Sequence, residues 1–170
     1  LSHIRHVALD MDGTIYMGTT GKMCKIEQDH TLQVVDADIN YVISMTHYEG
    51  MLVGCTHQGE LFVMEGDKLI QTYTNENAEA YYTCVGVANE RIMAGTSLDE
   101  LEELRIKEGR IQVVDRVNIA PLYGVQEIQK DSAGKLWLAA ENGLGYLDGS
   151  GLHMVPVKEF ESSIESVHED

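Results

Sequence analysis

Two aspartates near the start of the chain have the residue type and spacing that most directly suggest chemistry. Asp10 and Asp12 flank Met11 and precede Gly13, so the segment has the form D-x-D-G. Successive carboxylates before a glycine-permitted bend are typical of loops that wrap a hard cation such as calcium. No bidentate glutamate follows at calcium-loop spacing, and only one of the repeated segments described below has both acids. We therefore interpret the aspartates as turn residues and expect no metal and no other cofactor.

The histidines and cysteines form no recognisable metal-binding or catalytic pattern. The seven histidines are scattered, with no HxH or HExxH pair. The three cysteines, Cys24, Cys55 and Cys84, form no CxxC pair, and an odd number cannot all pair within one chain. Because Cys24 and Cys55 lie in apolar, strand-like runs, we expect both to be buried. The sequence leaves open whether any cysteine is oxidised.

The elements that must position these residues recur along the chain. Each of four segments has a turn, three mostly large apolar residues and then a tiny residue, which is Gly18, Gly54, Gly95 or Ala139 in turn. The segments are DGTIYMG from Asp12, GMLVG from Gly50, ERIMAG from Glu90 and GKLWLAA from Gly134. One strand-like run precedes each turn and two follow each tiny residue. Four hairpin-linked strands repeated about every 40 residues are typical of propeller blades.

The repeat predicts an all-β fold, a β-propeller of four four-stranded antiparallel blades. The predicted blades span 4–36, 40–74, 81–116 and 122–157. The last residues, IESVHED from Ile164, match IRHVALD from Ile4, so we expect 162–170 to be the first strand of a further blade. This match predicts that the chain is a piece of a longer protein. The leucine spacing at 97–104 would suit a helix, but the repeat register predicts strand-turn-strand there.

The repeat resembles that of a known family. DMDGTIYMGTTG and DSAGKLWLAAENGLGYLD follow the pattern D-x-x-G-x-hydrophobic-W/Y-hydrophobic, then a tiny residue and a second turn. This pattern resembles the two-component-regulator propeller repeat, strongly in the first and fourth units and loosely in the other two. The resemblance implies a larger ring of about seven blades outside the cytoplasmic membrane. It also implies a transmembrane segment and a histidine kinase or diguanylate cyclase output in the rest of the protein.

A second resemblance points to an enzyme. HVALDMDGTIY from His6 is similar to the first motif of haloacid-dehalogenase-type phosphatases. In that family the residue matching Asp10 is the nucleophile and the one matching Asp12 the general acid and base, with Mg²⁺. The family needs a long helix after this strand, whereas residues 18–36 read as turns and strands. Since DSAGKLW at 131–137 repeats the segment without the second acid, we favour a hairpin turn and predict no catalysis.

Composition narrows the range of partners. The formal net charge of -16 argues against nucleic acids and anionic membrane surfaces, which require a basic face. The 170 residues are 44% hydrophobic, which suffices for a folded core. No apolar run approaches the roughly 18 residues that a membrane-spanning helix needs, so we expect no span in this chain.

If ligands lie over the central channel, they should contact polar residues that follow the tiny residue of each unit. These candidate ligand-binding residues are Thr19, Thr20, Thr56, His57, Thr96, Ser97, Glu141 and Asn142. The alternative is that these side chains only satisfy backbone groups of their own turns. The sequence does not distinguish a small molecule or glycan from a protein as the partner.

Together these patterns predict a non-catalytic sensory module of a membrane-anchored signal-transduction protein. The alternative is a scaffold that docks partner proteins. An arc of blades would expose an apolar sheet face at each end, and such faces invite association. We therefore expect either a homodimer through these faces or closure by a strand at 164–170.

Overall fold

The computed structural model describes residues 3–88, 90–156 and 163–169. The regular secondary structure in these ranges is entirely β-strand, and they contain no helix that could cross a membrane. Sixteen strands form four four-stranded sheets, and each sheet is built from four strands in chain order. This arrangement confirms the predicted all-β fold of four blades.

The strand bounds in the first two blades are as follows. Blade 1 contains β1 (Ile4–Leu9), β2 (Ile15–Thr19), β3 (Cys24–Ile26) and β4 (Leu32–Val34). Blade 2 contains β5 (Val42–Tyr48), β6 (Met51–Thr56), β7 (Leu61–Glu65) and β8 (Lys68–Tyr73). All strand pairs within these two blades are antiparallel.

The last two blades repeat the plan. Blade 3 contains β9 (Tyr82–Ala88), β10 (Arg91–Thr96), β11 (Glu100–Lys107) and β12 (Arg110–Asn118). Blade 4 contains β13 (Val125–Lys130), β14 (Leu136–Ala140), β15 (Gly143–Asp148) and β16 (Gly151–Met154). The acidic segment at 97–104 therefore continues into strand β11 and forms no helix, as the repeat register predicts.

Two tight hairpin turns place both of their central residues at positive φ. Glu49 and Gly50 have φ values of 50° and 78°, and Glu108 and Gly109 have φ values of 54° and 72°. A two-residue hairpin whose central residues both have positive φ matches the twist of the flanking strands. Each of these turns thus needs its glycine at the second position.

The chain divides into two compact units with separate hydrophobic cores. One unit contains blades 1 and 2 and the residues Ile106–Gln112; the other contains Thr83–Arg105 and the chain from Val113 onward. The core of the first unit includes Ala8, Tyr16, Val42, Met45, Leu52 and Phe62. The core of the second includes Met93, Leu101, Leu122, Val125, Leu138 and Ala140.

All three cysteines are buried and free, which confirms the expectation for Cys24 and Cys55. Burial in apolar surroundings raises the pKa of the Cys84 thiol to about 12. The thiolate is the reactive form of cysteine, so this thiol is chemically inert in the folded chain.

The strand pairing corrects the repeat alignment in blade 2 by one residue. Thr19 pairs with Ile4, and Thr56 pairs with Val42, at the start of the first strand of each blade. Cys55, not Gly54, is therefore the counterpart of Gly18. The alignment failed because blade 1 uses the five residues 10–14 between β1 and β2, whereas blade 2 uses only two residues in the same place.

The strand expected at 162–170 is absent from residues 163–169, and residues 162 and 170 lie outside the described ranges. Ile164 N donates to Ala140 O at 3.1 Å. Val167 N donates to a carboxylate oxygen of Glu127 at 2.7 Å, and Glu169 accepts from Ser132. A backbone hydrogen bond and hydrogen bonds to carboxylate side chains thus hold residues 163–169 against blade 4, and these residues form no strand ladder with the described part of the chain.

Candidate functional site

The threonines after the small residues mostly bind the backbone of their own turns. Thr19 Oγ1 donates to Lys22 O at 2.7 Å and accepts from Gly21 N at 3.0 Å. Thr96 Oγ1 donates to Glu100 O at 2.9 Å and accepts from Leu98 N at 3.3 Å. Short hydroxyl side chains commonly satisfy turn groups in this way. These two threonines therefore shape the ends of their blades.

Glu141 and Asn142 brace the connection that enters blade 4. Asn142 Oδ1 accepts from Tyr123 N at 3.1 Å, and its Nδ2 donates to Pro121 O at 2.7 Å. Glu141 N donates to Gly124 O at 3.1 Å. A Cβ on Gly124 would lie 2.7 Å from Glu141 Cδ, so the carboxylate side chain packs tightly over this glycine. Both polar atoms of the Asn142 side chain thus hydrogen-bond to the backbone of this connection.

Tyr41 brings two of the predicted ligand-binding turns together in the first unit. Tyr41 N donates to Gly21 O at 3.0 Å, in the turn that follows Thr20. His57 N in turn donates to Tyr41 O at 2.8 Å. Thr20 and exposed His57 therefore lie on either side of Tyr41, whereas the Thr56 side chain is buried.

An arginine, a tyrosine and a histidine stack at this point. The rings of Tyr41 and His57 are 4.4 Å apart and nearly parallel, at an interplanar angle of 19°. The Arg5 Cζ lies 5.8 Å from the centroid of the Tyr41 ring, and Arg5 Nη2 is 3.4 Å from the Tyr41 hydroxyl. We call these three residues the Arg5–Tyr41–His57 stack. It presents a guanidinium, a phenol and an imidazole at one end of blades 1 and 2.

The backbone of Tyr41 is in the left-handed region, with φ of 53°. In blade 4 the same position is Gly124, with φ of 61° and an equivalent pair of backbone hydrogen bonds. A bulky residue with positive φ is uncommon, and such strain is concentrated at functional sites. Sequence reasoning missed Tyr41 and Arg5. A tyrosine at a repeat position that is glycine elsewhere is the signal that could have found Tyr41.

At the other end of the strands, Asp10 and Asp12 belong to a turn that recurs in blade 4. Asp10 N donates to Thr14 O at 2.8 Å, as Asp131 N donates to Lys135 O at 3.0 Å. Asp12 Oδ1 accepts from Thr14 N at 2.8 Å, and this hydrogen bond lowers the pKa of the Asp12 carboxyl. The turn leads directly into β2 and then β3. The aspartates are therefore hairpin residues, as the sequence analysis favours.

Neither a phosphatase nor a calcium site finds support in this geometry. No helix follows β2, and none occurs elsewhere in the described residues. In those same ranges, no three histidine, cysteine or acidic side chains are arranged to hold a metal ion.

Comparison with solved structures identifies the fold. The extracellular domain of BT4673 from B. thetaiotaomicron, assigned to the one-component systems, is 16% identical with a TM-score of 0.75; the match covers 99% of this chain and 24% of that one. The extracellular domain of BT3049 from the same organism, assigned to the hybrid two-component systems, is 14% identical with a TM-score of 0.75, covering 98% and 24%. The fold is a β-propeller.

Propellers with other roles are also similar. A catalytically inactive variant of virginiamycin B lyase from Staphylococcus aureus, bound to quinupristin, is 15% identical with a TM-score of 0.74, covering 92% of this chain and 57% of that one. The chain thus spans about a quarter of the two extracellular domains and little more than half of the lyase. No family profile and no curated protein matches it. At such low identity the propeller is shared but the activity does not follow.

Proposed function

We propose that this chain is a non-catalytic sensory propeller module that binds its ligand on the face of the Arg5–Tyr41–His57 stack. The parent is a membrane-anchored signal-transduction protein with the module outside the cytoplasm and a histidine kinase or diguanylate cyclase output. Two observations support the signalling role: the repeat resembles that of two-component-regulator propellers, and the fold matches extracellular sensor-system domains over nearly its whole length.

Strain at Tyr41 is the observation that carries the proposed site. A left-handed conformation costs a non-glycine residue roughly 1–2 kcal/mol, and glycine would avoid the cost. The tyrosine places its ring between a guanidinium and an imidazole, at the end of the blades where Thr20 and His57 lie. A flat ring, hydrogen-bond donors and a positive charge suit a small polar molecule or a glycan.

Variants of the parent protein test the site. Tyr41→Gly removes the ring and keeps the left-handed backbone, so we expect the chain to fold and the signalling response to be lost. Glu49→Gly is the matched control, because Glu49 also has positive φ (50°) but lies in the β5–β6 hairpin. An unchanged response in Tyr41→Gly, with both variants folded, would place the ligand elsewhere.

The signalling role is tested by sequencing the natural gene on both sides of the segment that encodes this chain. We expect it to encode a transmembrane segment and a kinase or cyclase domain after the propeller. A frame that encodes a secreted propeller without either would rule the signalling role out.

A docking scaffold is the second candidate, because one face of blade 1 is apolar and is exposed along its two outer strands, β1 and β4. Eight apolar residues form two cross-strand rows: Leu9, Ile15, Ile26 and Leu32, and Val7, Met17, Cys24 and Val34. We call these eight residues the apolar face of blade 1. Leu9 and Val34 are 65% and 60% exposed. Exposed apolar faces of this kind mark association sites.

A further inference from the structure

A cleft of about 600 Å³ opens in the first unit, at the end of the strands opposite the Arg5–Tyr41–His57 stack. Three turns line it: the β1–β2 turn of blade 1, the β3–β4 turn of blade 1 and the β7–β8 turn of blade 2. Its ionisable residues include Asp10, Asp12, Glu27, Asp29, Asp67 and Lys25. We call this the acidic cleft.

One lysine faces these five carboxylates and balances only some of them. Lys25 Nζ lies 2.8 Å from Asp67 Oδ2 and 3.0 Å from Glu27 Oε1. The hydrogen bond to Asp67, followed by that to Glu27, raises the pKa of Lys25, so the lysine is charged at neutral pH. No lysine or arginine among the described residues forms an ion pair with Asp10, Asp12 or Asp29. The acidic cleft therefore retains a negative potential.

A buried phenol at the base of the acidic cleft lacks a hydrogen-bond partner. Tyr16 is only 4% exposed and lines the cleft beside its cross-strand neighbour Lys25. Its hydroxyl makes no hydrogen bond with any described residue. Burial raises the pKa of Tyr16, and the carboxylate of Asp67 raises it further. A ligand in the cleft that donates to this hydroxyl would give it a hydrogen bond that no described residue supplies.

His47 lies behind this phenol. Its ring is 5.7 Å from the Tyr16 ring, and its Nδ1 is 3.2 Å from Asp10 Oδ1. Neither ring nitrogen has the geometry of a hydrogen bond with any described residue. Tyr16, which lines the acidic cleft, and His47, which is adjacent to it, are thus two polar rings without hydrogen bonds to described residues.

The placement of the carboxylates selects an extended ligand. In the described residues no three acidic or imidazole groups converge as a metal ion requires. The acids lie on three separate turns, so a ligand that reaches all of them must carry positive charges along its length. Charge-assisted hydrogen bonds from ammonium groups to carboxylates are strong and short.

We propose that the acidic cleft binds a linear di- or polyamine, whose ammonium groups contact Asp12, Asp10 and Asp67 and whose nearest nitrogen donates to the Tyr16 hydroxyl. The site is separate from the one proposed for sensing, because it lies at the opposite end of the strands. Its test therefore does not depend on that function.

Isothermal titration of the whole chain with spermidine and with putrescine tests the proposal. We expect saturable binding at one site, tighter for spermidine because it carries one more charge. Tyr16→Phe should weaken the affinity about fivefold, which is the effect of one lost hydrogen bond. Asp12→Asn should weaken it about three- to tenfold. Asp38→Asn removes the same charge from an exposed residue outside the cleft and should leave the affinity within about twofold.

The Lys25→Gln variant is expected to bind spermidine with higher affinity than the native chain. Removing this lysine frees Glu27 and Asp67, so spermidine should bind more tightly than to the native chain. Circular dichroism and thermal melts confirm that each variant is folded; if Tyr16→Phe does not fold, the Asp12 and Lys25 variants decide. Unsaturable binding, weaker binding to Lys25→Gln, or equal losses in Asp12→Asn and Asp38→Asn would overturn the proposal. Displacement of spermidine by Mg²⁺ at an equal concentration would also overturn the proposal.

Discussion

The backbone of Gly18 in blade 1 lies directly against Val42 in blade 2. A Cβ at Gly18 would be 2.9 Å from both Val42 Cγ1 and the Val42 carbonyl oxygen. In the second unit Gly95 has the same relationship to Val125: a Cβ added at Gly95 would lie 2.9 Å from the Val125 Cβ. The small residue near the end of the second strand thus sets how closely the first strand of the next blade can approach.

Gly18→Ala should therefore destabilise the chain. The added methyl group meets backbone as well as side chain, so it cannot be accommodated by a rotamer change alone. Overpacking of this kind costs about 1–3 kcal/mol of the free energy of unfolding, measurable by urea denaturation. Gly149→Ala is the control, because no atom lies within 4 Å of a Cβ there. Equal stability of the two variants would show that the contact does not limit packing.

The fold could be predicted because turn residues and small residues recur with the period of the blade. The register in blade 2 could not be predicted in the same way, because Gly54 looks like the counterpart of Gly18. A Cβ on Gly54 would meet the Phe62 ring at 2.4 Å. Position 54 is therefore a glycine because its cross-strand neighbour Phe62 needs the space, and not because of its place in the repeat. Local packing and repeat position demand the same residue type, and the sequence alone does not separate the two demands.

The candidate site was harder to predict than the fold. Thr19 and Thr96 have the polarity of ligand-binding residues, but their hydroxyls bind their own turns. Tyr41 was missed because the residue type tyrosine does not by itself indicate a left-handed backbone; only the glycine at the same repeat position in blade 4, Gly124, does. The acidic cleft is assembled from three turns that are distant in sequence, so its carboxylates resemble ordinary surface charge until the blades are packed.

The apolar face of blade 1 should make the chain associate with itself. Leu9 and Val34 lie in its two rows and are mostly exposed, so burial against a second copy removes apolar surface from water. We expect light scattering after gel filtration to show dimers at high protein concentration. The double variant Leu9→Ser, Val34→Asp should shift the population to monomers.

A control and a contrary outcome make that prediction specific. Val114→Asp changes a residue that is 41% exposed on β12, outside the apolar face of blade 1, and should leave the dimer intact. A native chain that stays a monodisperse monomer at all concentrations would contradict the prediction. So would equal dissociation by the control variant.

Asp10→Asn should not change phosphate release. Because Asp10 is a hairpin residue with a counterpart in Asp131, it is not positioned as a nucleophile by a strand-to-helix junction. With p-nitrophenyl phosphate and Mg²⁺, we expect background hydrolysis from both the native chain and the variant. Mg²⁺-dependent release that disappears in Asp10→Asn would restore the phosphatase interpretation.

Asp148 should make the stability depend on pH in the acid range. The Ser150 hydroxyl donates to its Oδ1 at 2.7 Å, and the Ser150 N donates at 2.8 Å. These two hydrogen bonds, of which the one from the Ser150 hydroxyl has the larger effect, lower the pKa of the Asp148 carboxyl from 3.8 to about 2. Because the folded pKa is below the unfolded one, the stabilisation is complete above about pH 4 and is lost as the pH falls toward 2.

Ser150→Ala tests this dependence directly. It removes the larger of the two hydrogen bonds, so the pKa of Asp148, followed by carboxyl carbon NMR, should rise toward its ordinary value. The variant should melt at a lower temperature than the native chain at pH 7, and the difference should shrink as the pH approaches 2. A constant difference across that range would mean that Ser150 stabilises the β15–β16 turn by packing or backbone effects and not through the ionised carboxylate.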